Sequence, residues 1–405
     1  MSSKTTKDLE LSLFQAPPRG PQVIRKKLNV AGLFAGIGGI EQGLHQAGHH
    51  TSLLCEWDEG AKAVLKKRFE GIKLHGDVSE LASIPKSVDL LTGGFPCQDL
   101  SQAGKTAGII EGNRSSLVGE IFRLITKSKT PWVLLENVPF MLKLDKGRAM
   151  KVLTDTFERL GYNWAYRVVD SMAFGVPQRR ERVVFLASLQ FDPREILFGT
   201  EEDPPNYGEE LIGKIDCGFY WTEGVRGLGL APNGVPPIKG GSTVGIASPP
   251  AILFKNGAVS TPDIRDAERM QGFPENWTLP SNQINKASHR WKLVGNAVTT
   301  CVFRWVGKNL ITPNQAGKFI EGRPITPGVG WPNSGWNVGS GRFGTKMSTY
   351  PIRKEYKPLG VWLRYPTKPL SVRAITGFLK RAKSGSLRFP PGFINKLETF
   401  QESIS

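Results

Sequence analysis

The sequence has 405 residues and only four cysteines, none of them in a CxxC pair. Cys55, Cys97, Cys217 and Cys301 are scattered along the chain, which disfavours both a disulfide framework and a structural zinc site. We therefore expect no bound metal. Sparse, unpaired cysteines also favour a reducing cytoplasm over an oxidising compartment.

The sequence also lacks long apolar runs, and it has too few acidic residues to neutralise its Lys and Arg residues. No stretch approaches the roughly 20 apolar residues that a membrane-spanning helix needs, which excludes an integral membrane protein. Polar and charged residues follow Met1 directly, so we expect no secretory signal. Only 36 Asp and Glu oppose 53 Lys and Arg, and the resulting net charge of +17 favours a polyanionic partner. At 39% hydrophobic residues the chain can bury a core, which argues against a largely disordered protein.

Residues 28–190 alternate short apolar runs with amphipathic stretches. The apolar runs predict buried strands at Leu28–Phe34, Thr51–Cys55, Val88–Leu91, Trp132–Leu135 and Arg182–Ala187. The stretches with helical spacing are Gly39–Ala47, Ala61–Phe69, Leu117–Thr126 and Arg148–Leu160. This alternation predicts an α/β fold with a mostly parallel sheet and helices on both faces.

The rest of the chain predicts further units around this domain. Residues 1–27 read as a tail, and residues 191–262, rich in acidic residues and then in Gly and Pro, predict a small irregular domain. Helical spacing returns over 263–310, which we expect to rejoin the first domain. Residues 311–405 hold fifteen Lys and Arg against four Asp and Glu, together with several large aromatic residues, and predict a folded basic module.

A glycine-rich turn, Phe34-Ala35-Gly36-Ile37-Gly38-Gly39, joins the first predicted strand to the first helix. Glycines let a ligand approach the backbone, and a helix N-terminus offers N–H groups. Glu56, about twenty residues further on, can accept hydrogen bonds from two ribose hydroxyls. Trp57 offers a flat face for an adenine ring. Alone, these residues predict a nucleotide-like cofactor, and the alternative is a glycine turn that binds nothing.

A cysteine-containing loop follows the third predicted strand, with the sequence Gly93-Gly94-Phe95-Pro96-Cys97-Gln98. Open α/β sheets bind ligands at this edge, and a cysteine held out of the core there can act as a nucleophile. Cys55 and Cys301 are interpreted instead as small buried hydrophobes. The following loop, Asp99–Asn113, contains several glycines and predicts a lid over a substrate, the alternative being an idle surface loop.

An acid and two arginines come next at strand ends. Glu136 follows the strand Trp132–Leu135 and could donate a proton to a ring nitrogen if its pKa is raised. Arg180 and Arg182 lie on one side of an extended chain and suit a carbonyl oxygen, a carboxylate or a phosphate. The alternatives are a structural acid and a solvated charge cluster. Together, these residues and the two loops are predicted to meet at one sheet edge.

In motif content and motif order, the sequence resembles the C5-cytosine DNA methyltransferases, which use S-adenosylmethionine. The glycine-rich turn resembles their cofactor loop, and Gly94-Phe95-Pro96-Cys97-Gln98 resembles their nucleophile loop. Glu136-Asn137-Val138 resembles their acid motif, and Gln178–Arg182 resembles their basic motif. Arg269–Pro274 is similar to the segment that supports target recognition, and Gly295–Val298 is similar to a late motif that completes the cofactor pocket.

The resemblance implies a role for each matching residue. The catalytic residues implied are Cys97, Glu136, Arg180 and Arg182. The cofactor contacts implied are Phe34, Gly36, Ile37, Gly38, Gly39, Glu56, Trp57, Asp77, Val78, Pro96, Leu117, Asn296 and Val298. The DNA contacts implied are Gln98, Ser101, Lys105, Arg114 and Arg269.

The resemblance also implies a Rossmann-like methyltransferase sheet, a recognition region at 191–262 and a covalent mechanism. Cys97 attacks carbon 6 of cytosine, Glu136 protonates or hydrogen-bonds N3, and Arg180 or Arg182 holds O2. Carbon 5 then accepts the methyl group, a base removes its proton, and elimination releases the cysteine. Because a stacked cytosine cannot react in this way, the base must be flipped out of the duplex.

We expect a sequence-specific enzyme of bacterial restriction–modification type, monomeric and cytoplasmic, that acts on double-stranded DNA. A separate cognate restriction endonuclease is a candidate partner. The recognition region has five Lys and Arg against nine Asp and Glu, so we expect residues 311–405 to supply much of the phosphate contact, and their deletion to weaken DNA binding.

The nearest alternative is a tRNA cytosine-5 methyltransferase on the same scaffold. A nicotinamide oxidoreductase would leave the cysteine, acid and arginine motifs unexplained. An inactive DNA-binding protein would have no need to retain Cys97, Glu136 and both arginines. Labelling of nucleic acid, cofactor titration and a Cys97→Ala comparison distinguish these readings.

Overall fold

The computed structural model describes residues 25–95, 117–241, 247–326, 328 and 330–405. None of the helices within these ranges combines the length and the apolar composition needed to cross a membrane. The predicted N-terminal tail lies outside the described residues except for its last three positions.

Strands and helices alternate through the first half of the described chain, as the sequence predicts. The strands are β1 (Asn29–Leu33), β2 (His50–Cys55), β3 (Lys73–His75), β4 (Leu90–Gly94), β5 (Trp132–Asn137), β6 (Asn163–Asp170), β7 (Glu181–Ser188), β8 (Cys217–Phe219), β9 (Ala231–Pro232), β10 (Ala251–Leu253), β11 (Val259–Thr261), β12 (Arg323–Pro324), β13 (Ser334–Asn337), β14 (Phe343–Thr345) and β15 (Lys368–Pro369). The α-helices are α1 (Gly39–Gln46), α2 (Glu59–Arg68), α3 (Leu117–Ser128), α4 (Arg148–Arg159), α5 (Arg194–Leu197), α6 (Ile264–Met270), α7 (His289–Asn296), α8 (Thr300–Ile311), α9 (Leu359–Trp362), α10 (Val372–Ser384) and α11 (Phe393–Ile404).

The larger sheet has the order β12-β14-β13-β6-β7-β5-β4-β1-β2-β3. Strands β3, β2, β1, β4 and β5 are parallel, whereas β7 runs antiparallel to both β5 and β6. From β1 the chain first builds β2 and β3 on one side and then β4 and β5 on the other. The carboxyl ends of β1 and β4 therefore flank a topological switch point, where open α/β sheets form a ligand crevice. The α/β fold with a Rossmann-like sheet is confirmed.

Apolar residues cover both faces of this sheet. One core contains the aromatic side chains of Phe122, Phe157 and Phe185. The other contains Leu44 and Phe303, through which α1 and α8 pack together. Strands buried on both faces need nearly continuous apolar runs, and this requirement makes β1, β4 and β5 recognisable in the sequence.

The sequence does not predict strand β6, because a charged residue interrupts its apolar run. Its Arg167 is fully buried at the centre of the strand. The guanidinium donates hydrogen bonds to the carbonyl oxygens of Leu197, Thr200 and Ser348, which compensate its removal from water. Those carbonyls lie 30 to 181 residues further along the chain, so no local pattern reveals them.

A smaller antiparallel sheet has the order β15-β11-β10-β8-β9. Helices α10 and α11 pack on it through Phe219, Phe378 and Phe393, all of them fully buried. Strands β8 to β11 come from the predicted recognition region, whereas β15 and both helices come from the C-terminal part of the chain. The smaller domain is thus built from two distant segments.

Residues 311–405, predicted as a folded basic module, are divided between the two sheets of the described chain. Their first part extends the larger sheet, where Gly335 of β13 pairs with Tyr166 of β6 and Trp336 is buried in the core. Their last part completes the smaller domain. The physical reason is edge protection, since without β13 the long strand β6 would present unpaired backbone groups at the sheet edge.

This arrangement changes the result expected from truncation. A chain ending at Leu310 loses Trp336 from one core and both Phe378 and Phe393 from the other. Loss of one such aromatic side chain costs about 3–5 kcal/mol, against a total stability of about 5–15 kcal/mol. We expect the truncated chain to be insoluble or unfolded by circular dichroism, whereas removal of residues 401–405 alone leaves the melting midpoint within a few degrees. A truncated chain that melts like the full chain would contradict this view of the C-terminal segment.

Candidate active site

A cavity of about 570 Å³ lies where β1, β2, β4 and β5 end and where β7 begins. Because β7 is antiparallel to β5, its first residues lie at the same edge as the last residues of β5. Ten of the predicted site residues line this cavity: Phe34, Gly36, Ile37, Glu56, Trp57, Leu117, Glu136, Arg180, Arg182 and Asn296. The structure therefore brings together residues that span most of the chain.

Backbone hydrogen bonds hold the Glu56 carboxylate in place at the end of β2. The Gly36 N–H donates to Oε2 at 2.7 Å, and the Asp58 N–H donates to Oε1 at 2.8 Å. Burial raises the pKa of Glu56, while these bonds act in the opposite direction. Trp57 beside it is 74% exposed and lines the cavity. A fixed acceptor and an open indole face thus stand together at one end of the cavity.

The glycine-rich turn has a backbone that few side chains tolerate. Gly36 has a φ of +55°, and a methyl group there would meet no atom of the described residues within 4 Å. Phe34 has a φ of +52°, which is uncommon for an aromatic residue. Strained positions of this kind occur preferentially at ligand sites. The turn leaves open space beside its backbone at Gly36, where a ligand can approach.

Glu136 and Arg182 form an ion pair at the opposite end of the cavity. Arg182 Nε lies 2.7 Å from Glu136 Oε1. A methyl group on Gly94 would lie 3.2 Å from Glu136 Oε2, so the absence of a side chain at Gly94 leaves room beside this carboxylate oxygen. The neighbouring Asn137 donates a buried hydrogen bond of 2.9 Å to the carbonyl oxygen of Phe95. That bond fixes the last described residue before the Cys97 loop to the end of β5.

Arg180 is buried and bonded to protein carbonyl oxygens. Its Nη atoms donate to Ile238 at 3.3 Å, to Gly295 at 3.1 Å and to Ala297 at 2.7 Å. Burial and the nearby Arg182 lower its pKa well below the usual range. Both Nη atoms are therefore engaged within the protein, whereas Nε has no partner among the described residues.

Six predicted contact residues with described positions do not line the cavity: Gly38, Gly39, Asp77, Val78, Val298 and Arg269. Methyl groups on Gly38 and Gly39 would overlap Phe69 and Val298, respectively, so both glycines allow close packing. Asp77 accepts a hydrogen bond from the Ser79 N–H.

Arg269, predicted to contact DNA, pairs with Asp266 and lies over the ring of Trp362 at 4.1 Å. Val78 is buried in the core that also contains Phe122, and its turn contacts α3. The roles predicted for these residues stay predictions. Pro96, Cys97, Gln98, Ser101, Lys105 and Arg114 lie outside the described residues.

Asp58 also lines the cavity, and sequence reasoning missed it. Its side chain caps α2 by accepting a hydrogen bond from the Ala61 N–H at 3.0 Å, and it lies 3.3 Å from Lys292 Nζ. These contacts lower its pKa, although burial opposes them. An aspartate directly before an amphipathic stretch is a helix-capping signal, and this signal could have placed it beside Glu56.

Glu41 is a fully buried acid on α1, behind the glycine-rich turn. Oε1 accepts a hydrogen bond of 2.8 Å from the Thr92 hydroxyl, and Oε2 has no partner among the described residues. Gly32 leaves room for the carboxyl, because a methyl group there would overlap Oε1. Burial raises the pKa of Glu41 to about 7.

The raised pKa of Glu41 predicts a loss of stability with rising pH. The folded state holds this proton more tightly than the unfolded state, so the stabilisation is present below the unfolded pKa and is lost as the pH rises through about 7. We expect Glu41→Gln to unfold at a higher temperature than wild type at about pH 8 and to lose less stability between about pH 5 and pH 8. Glu59→Gln, which changes an exposed acid on α2, is the control. Parallel pH curves for wild type and Glu41→Gln would show that the carboxyl stays ionised.

Comparisons of the sequence with known proteins agree with the geometry of this site. The family described as C-5 cytosine-specific DNA methylase matches residues 28–212. Type II methyltransferase M2.BsuMI of Bacillus subtilis (strain 168) is 47% identical over 387 residues, which cover 92% of this chain and 97% of the relative. Type II methyltransferase M.HaeII of Haemophilus aegyptius is 31% identical over 316 residues, covering 71% of this chain and 93% of the relative. The chain belongs to the C-5 cytosine-specific DNA methylase family.

Proposed function

We propose that this DNA methyltransferase transfers a methyl group from S-adenosylmethionine to carbon 5 of a cytosine that is flipped out of duplex DNA at a specific sequence. The observation that carries the proposal is the single cavity shared by the Glu56–Trp57 end and the Glu136–Arg182 pair. One end suits a nucleoside cofactor, and the other suits a pyrimidine ring. The family membership supports the reaction, and the type II relatives support a role in protecting host DNA from a restriction endonuclease.

The residues at the Glu56 end fit S-adenosylmethionine. Each oxygen of Glu56 accepts one backbone hydrogen bond and keeps capacity for a ribose hydroxyl. The exposed Trp57 ring offers a stacking face for adenine, and the open space at Gly36 admits the rest of the molecule. When bound, the cofactor supplies an electrophilic methyl group.

Changes at Glu56 and Trp57 test the cofactor site directly. Glu56→Gln removes a charged acceptor, and such hydrogen bonds are worth about 1.5–3 kcal/mol. We therefore expect the dissociation constant of S-adenosylmethionine in isothermal titration calorimetry to rise about 10-fold to 100-fold, and Trp57→Ala to weaken binding in the same direction. Glu59→Gln, three residues further on and exposed, should bind like wild type. Unchanged affinity in both site variants would place the cofactor elsewhere.

The residues at the other end fit activation of a cytosine. In the proposed reaction the Cys97 thiolate bonds to carbon 6, and carbon 5 gains electron density. In its protonated form Glu136 donates a proton or a hydrogen bond to N3, and Arg182, whose Nε lies 2.7 Å from Glu136 Oε1, keeps a cation beside the position of O2. Because both Nη atoms of Arg180 are bonded to carbonyl oxygens, we assign the O2 contact to Arg182. After methyl transfer, loss of the carbon-5 proton allows elimination of Cys97.

Positive charge on the smaller domain supports duplex DNA as the substrate. Arg373 and Lys380 of α10 and Lys396 of α11 are exposed. This domain also contains most of the recognition region, whose own charge is acidic. Cations contributed by the C-terminal helices would therefore provide phosphate contacts beside the recognition loops. No feature of the described residues favours the tRNA alternative.

Methyl transfer in vitro tests the function. Purified protein should move labelled methyl groups from S-adenosylmethionine to plasmid DNA, and it should label neither tRNA nor cytosine-free poly(dA)·poly(dT). Labelling of tRNA without labelling of plasmid DNA would establish the alternative. Protection of the labelled plasmid against restriction endonucleases of known specificity would support the protective role.

A further inference from the structure

One segment of the smaller domain reaches the active-site cavity, and we call Val235–Gly241 the connecting segment. It follows β9 after two residues and is attached to the start of the basic motif. The Val235 N–H donates to the Pro177 carbonyl oxygen, and the Arg179 N–H donates to the Val235 carbonyl oxygen, both at 2.9 Å. The connecting segment therefore lies alongside the residues that lead into β7.

Ile238, at the centre of the connecting segment, is bonded to two side chains of the basic motif. Its N–H donates to Gln178 Oε1 at 3.0 Å, and its carbonyl oxygen accepts from Arg180 Nη1 at 3.3 Å. The same guanidinium donates through Nη2 to Gly295 and Ala297 at the end of α7. A single buried cation thus joins the connecting segment to the helix end that borders the cavity.

Backbone contact between two glycines makes the second connection. A methyl group on Gly295 would lie 2.3 Å from the Gly240 nitrogen, so no side chain fits between the two backbones. A methyl group on Gly240 would lie 2.8 Å from Asn296 Oδ1. Asn296 lines the cavity and is a predicted cofactor contact. A displacement of the connecting segment at Gly240 would therefore displace Gly295 and Asn296 in the cavity wall.

Apolar packing prevents the connecting segment from sliding independently of these contacts. Val235 and Ile238 are buried in one cluster with Met270 of α6 and Val294 of α7. Close-packed interiors transmit displacement rather than absorb it. Ordering of the smaller domain and ordering of the α7 end are therefore linked.

We propose that the connecting segment couples target recognition to the cofactor pocket, and that Arg180 is a positioning residue in this coupling. Contacts that fix the smaller domain on its DNA target hold Ile238 and Gly240 in place, and these residues hold the α7 end with Asn296. Cofactor binding then loses less conformational entropy when DNA is already bound, so DNA increases the affinity for the cofactor. By thermodynamic reciprocity, the cofactor increases the affinity for DNA by the same factor. The proposal rests on the proposed function, because it assumes that Asn296 borders the cofactor.

Gly240→Ala is the sharpest test, and Gly330→Ala is its control. Gly330 lies outside the recognition region, and a methyl group there would meet no atom of the described residues within 4 Å. The dissociation constant of S-adenosylhomocysteine is measured for each protein alone, with a target-bearing plasmid fragment and with poly(dA)·poly(dT). We expect the plasmid fragment to tighten binding about tenfold in wild type and in Gly330→Ala, and by less than about twofold in Gly240→Ala. The second polymer should have little effect on any of them.

Steady-state kinetics distinguish coupling from simple loss of binding. In Gly240→Ala we expect KM for DNA at saturating S-adenosylmethionine to rise about tenfold, because the coupling is reciprocal, while the affinity for DNA without cofactor stays within about twofold, because the DNA-contacting surface is unchanged. Arg180→Lys keeps the charge but replaces the two Nη atoms, which donate to Ile238 and to the end of α7, by a single Nζ atom, and it should show the same loss of coupling if Gly240→Ala does not fold. If Gly240→Ala and Arg180→Lys both fold and the plasmid fragment tightens their cofactor binding as much as in wild type, the proposal is overturned. If the wild-type protein methylates DNA but DNA does not tighten its cofactor binding, the coupling proposal is overturned and the proposed function stands. If the wild-type protein does not bind the cofactor, both are overturned.

Discussion

Cys97→Ala is expected to abolish methyl transfer, with a loss on the order of 10⁴-fold or more, because the variant lacks the proposed nucleophile that bonds to carbon 6. DNA binding and cofactor affinity should stay close to those of wild type, since the substitution removes only one small group. The measurement is transfer of labelled methyl groups to plasmid DNA under single-turnover conditions, together with calorimetric binding of the cofactor.

The control for this result is Cys301→Ala. Cys301 on α8 is largely buried, and burial raises the pKa of its thiol. Burial raises the pKa of Cys55 further, to about 12, so neither residue supplies a thiolate at neutral pH. Cys301→Ala should therefore keep full activity.

Covalent trapping adds a readout that does not depend on turnover. A fluorine at carbon 5 cannot leave as a proton after methyl transfer, so in the presence of S-adenosylmethionine duplex DNA with 5-fluorocytosine in the target should remain bonded to wild-type protein under denaturing conditions. Cys97→Ala should give no such complex. A trapped complex in the variant would show that another residue is the nucleophile.

Glu136→Gln is the second large effect that we expect. Glutamine keeps the shape of the side chain and can still accept a hydrogen bond from Arg182, but it cannot give a proton to N3. General acid catalysis contributes about 10²-fold to 10⁴-fold, and we expect kcat to fall by a factor in that range. KM for DNA should change little, because the base is still flipped into a cavity of the same size.

The matched control is Glu181→Gln, since Glu181 is exposed and adjoins Arg182 in the chain. It should leave kcat within about twofold of the wild-type value, as surface changes usually do. Equal losses in Glu136→Gln and Glu181→Gln would mean that charge around Arg182, rather than proton donation, determines the rate. A rise in KM with unchanged kcat in Glu136→Gln would assign Glu136 to binding alone.

The sequence predicts the larger sheet well because its central strands carry their own signal. Strands such as β5 are buried on both faces and need apolar residues at nearly every position. Functional residues follow these strands at the carboxyl edge, so Glu56 and Glu136 could be placed together from their order in the chain alone. The cavity does contain both.

The sequence predicts a small irregular domain at 191–262, but it does not predict that this domain takes β15, α10 and α11 from residues 311–405, because their union depends on long-range contacts. Phe219 meets Phe378 and Phe393 across more than a hundred residues of chain, and β13 is recognisable as a strand only beside β6. The role of Arg180 was hidden for the same reason. The sequence pattern suits a carbonyl oxygen, a carboxylate or a phosphate, and the structure bonds the guanidinium of Arg180 to three carbonyl oxygens of the protein itself. Local patterns report burial and charge, but they do not report distant acceptors.

The central claim is that this protein methylates cytosine at a specific DNA sequence through Cys97, and bisulfite sequencing tests it most directly. Plasmid DNA is taken from a host that expresses the wild-type chain and from a host that expresses Cys97→Ala. We predict protected cytosines at one short recurring sequence in the first sample and their absence in the second. No protected cytosine in either sample, or the same protected sites in both, would contradict the account.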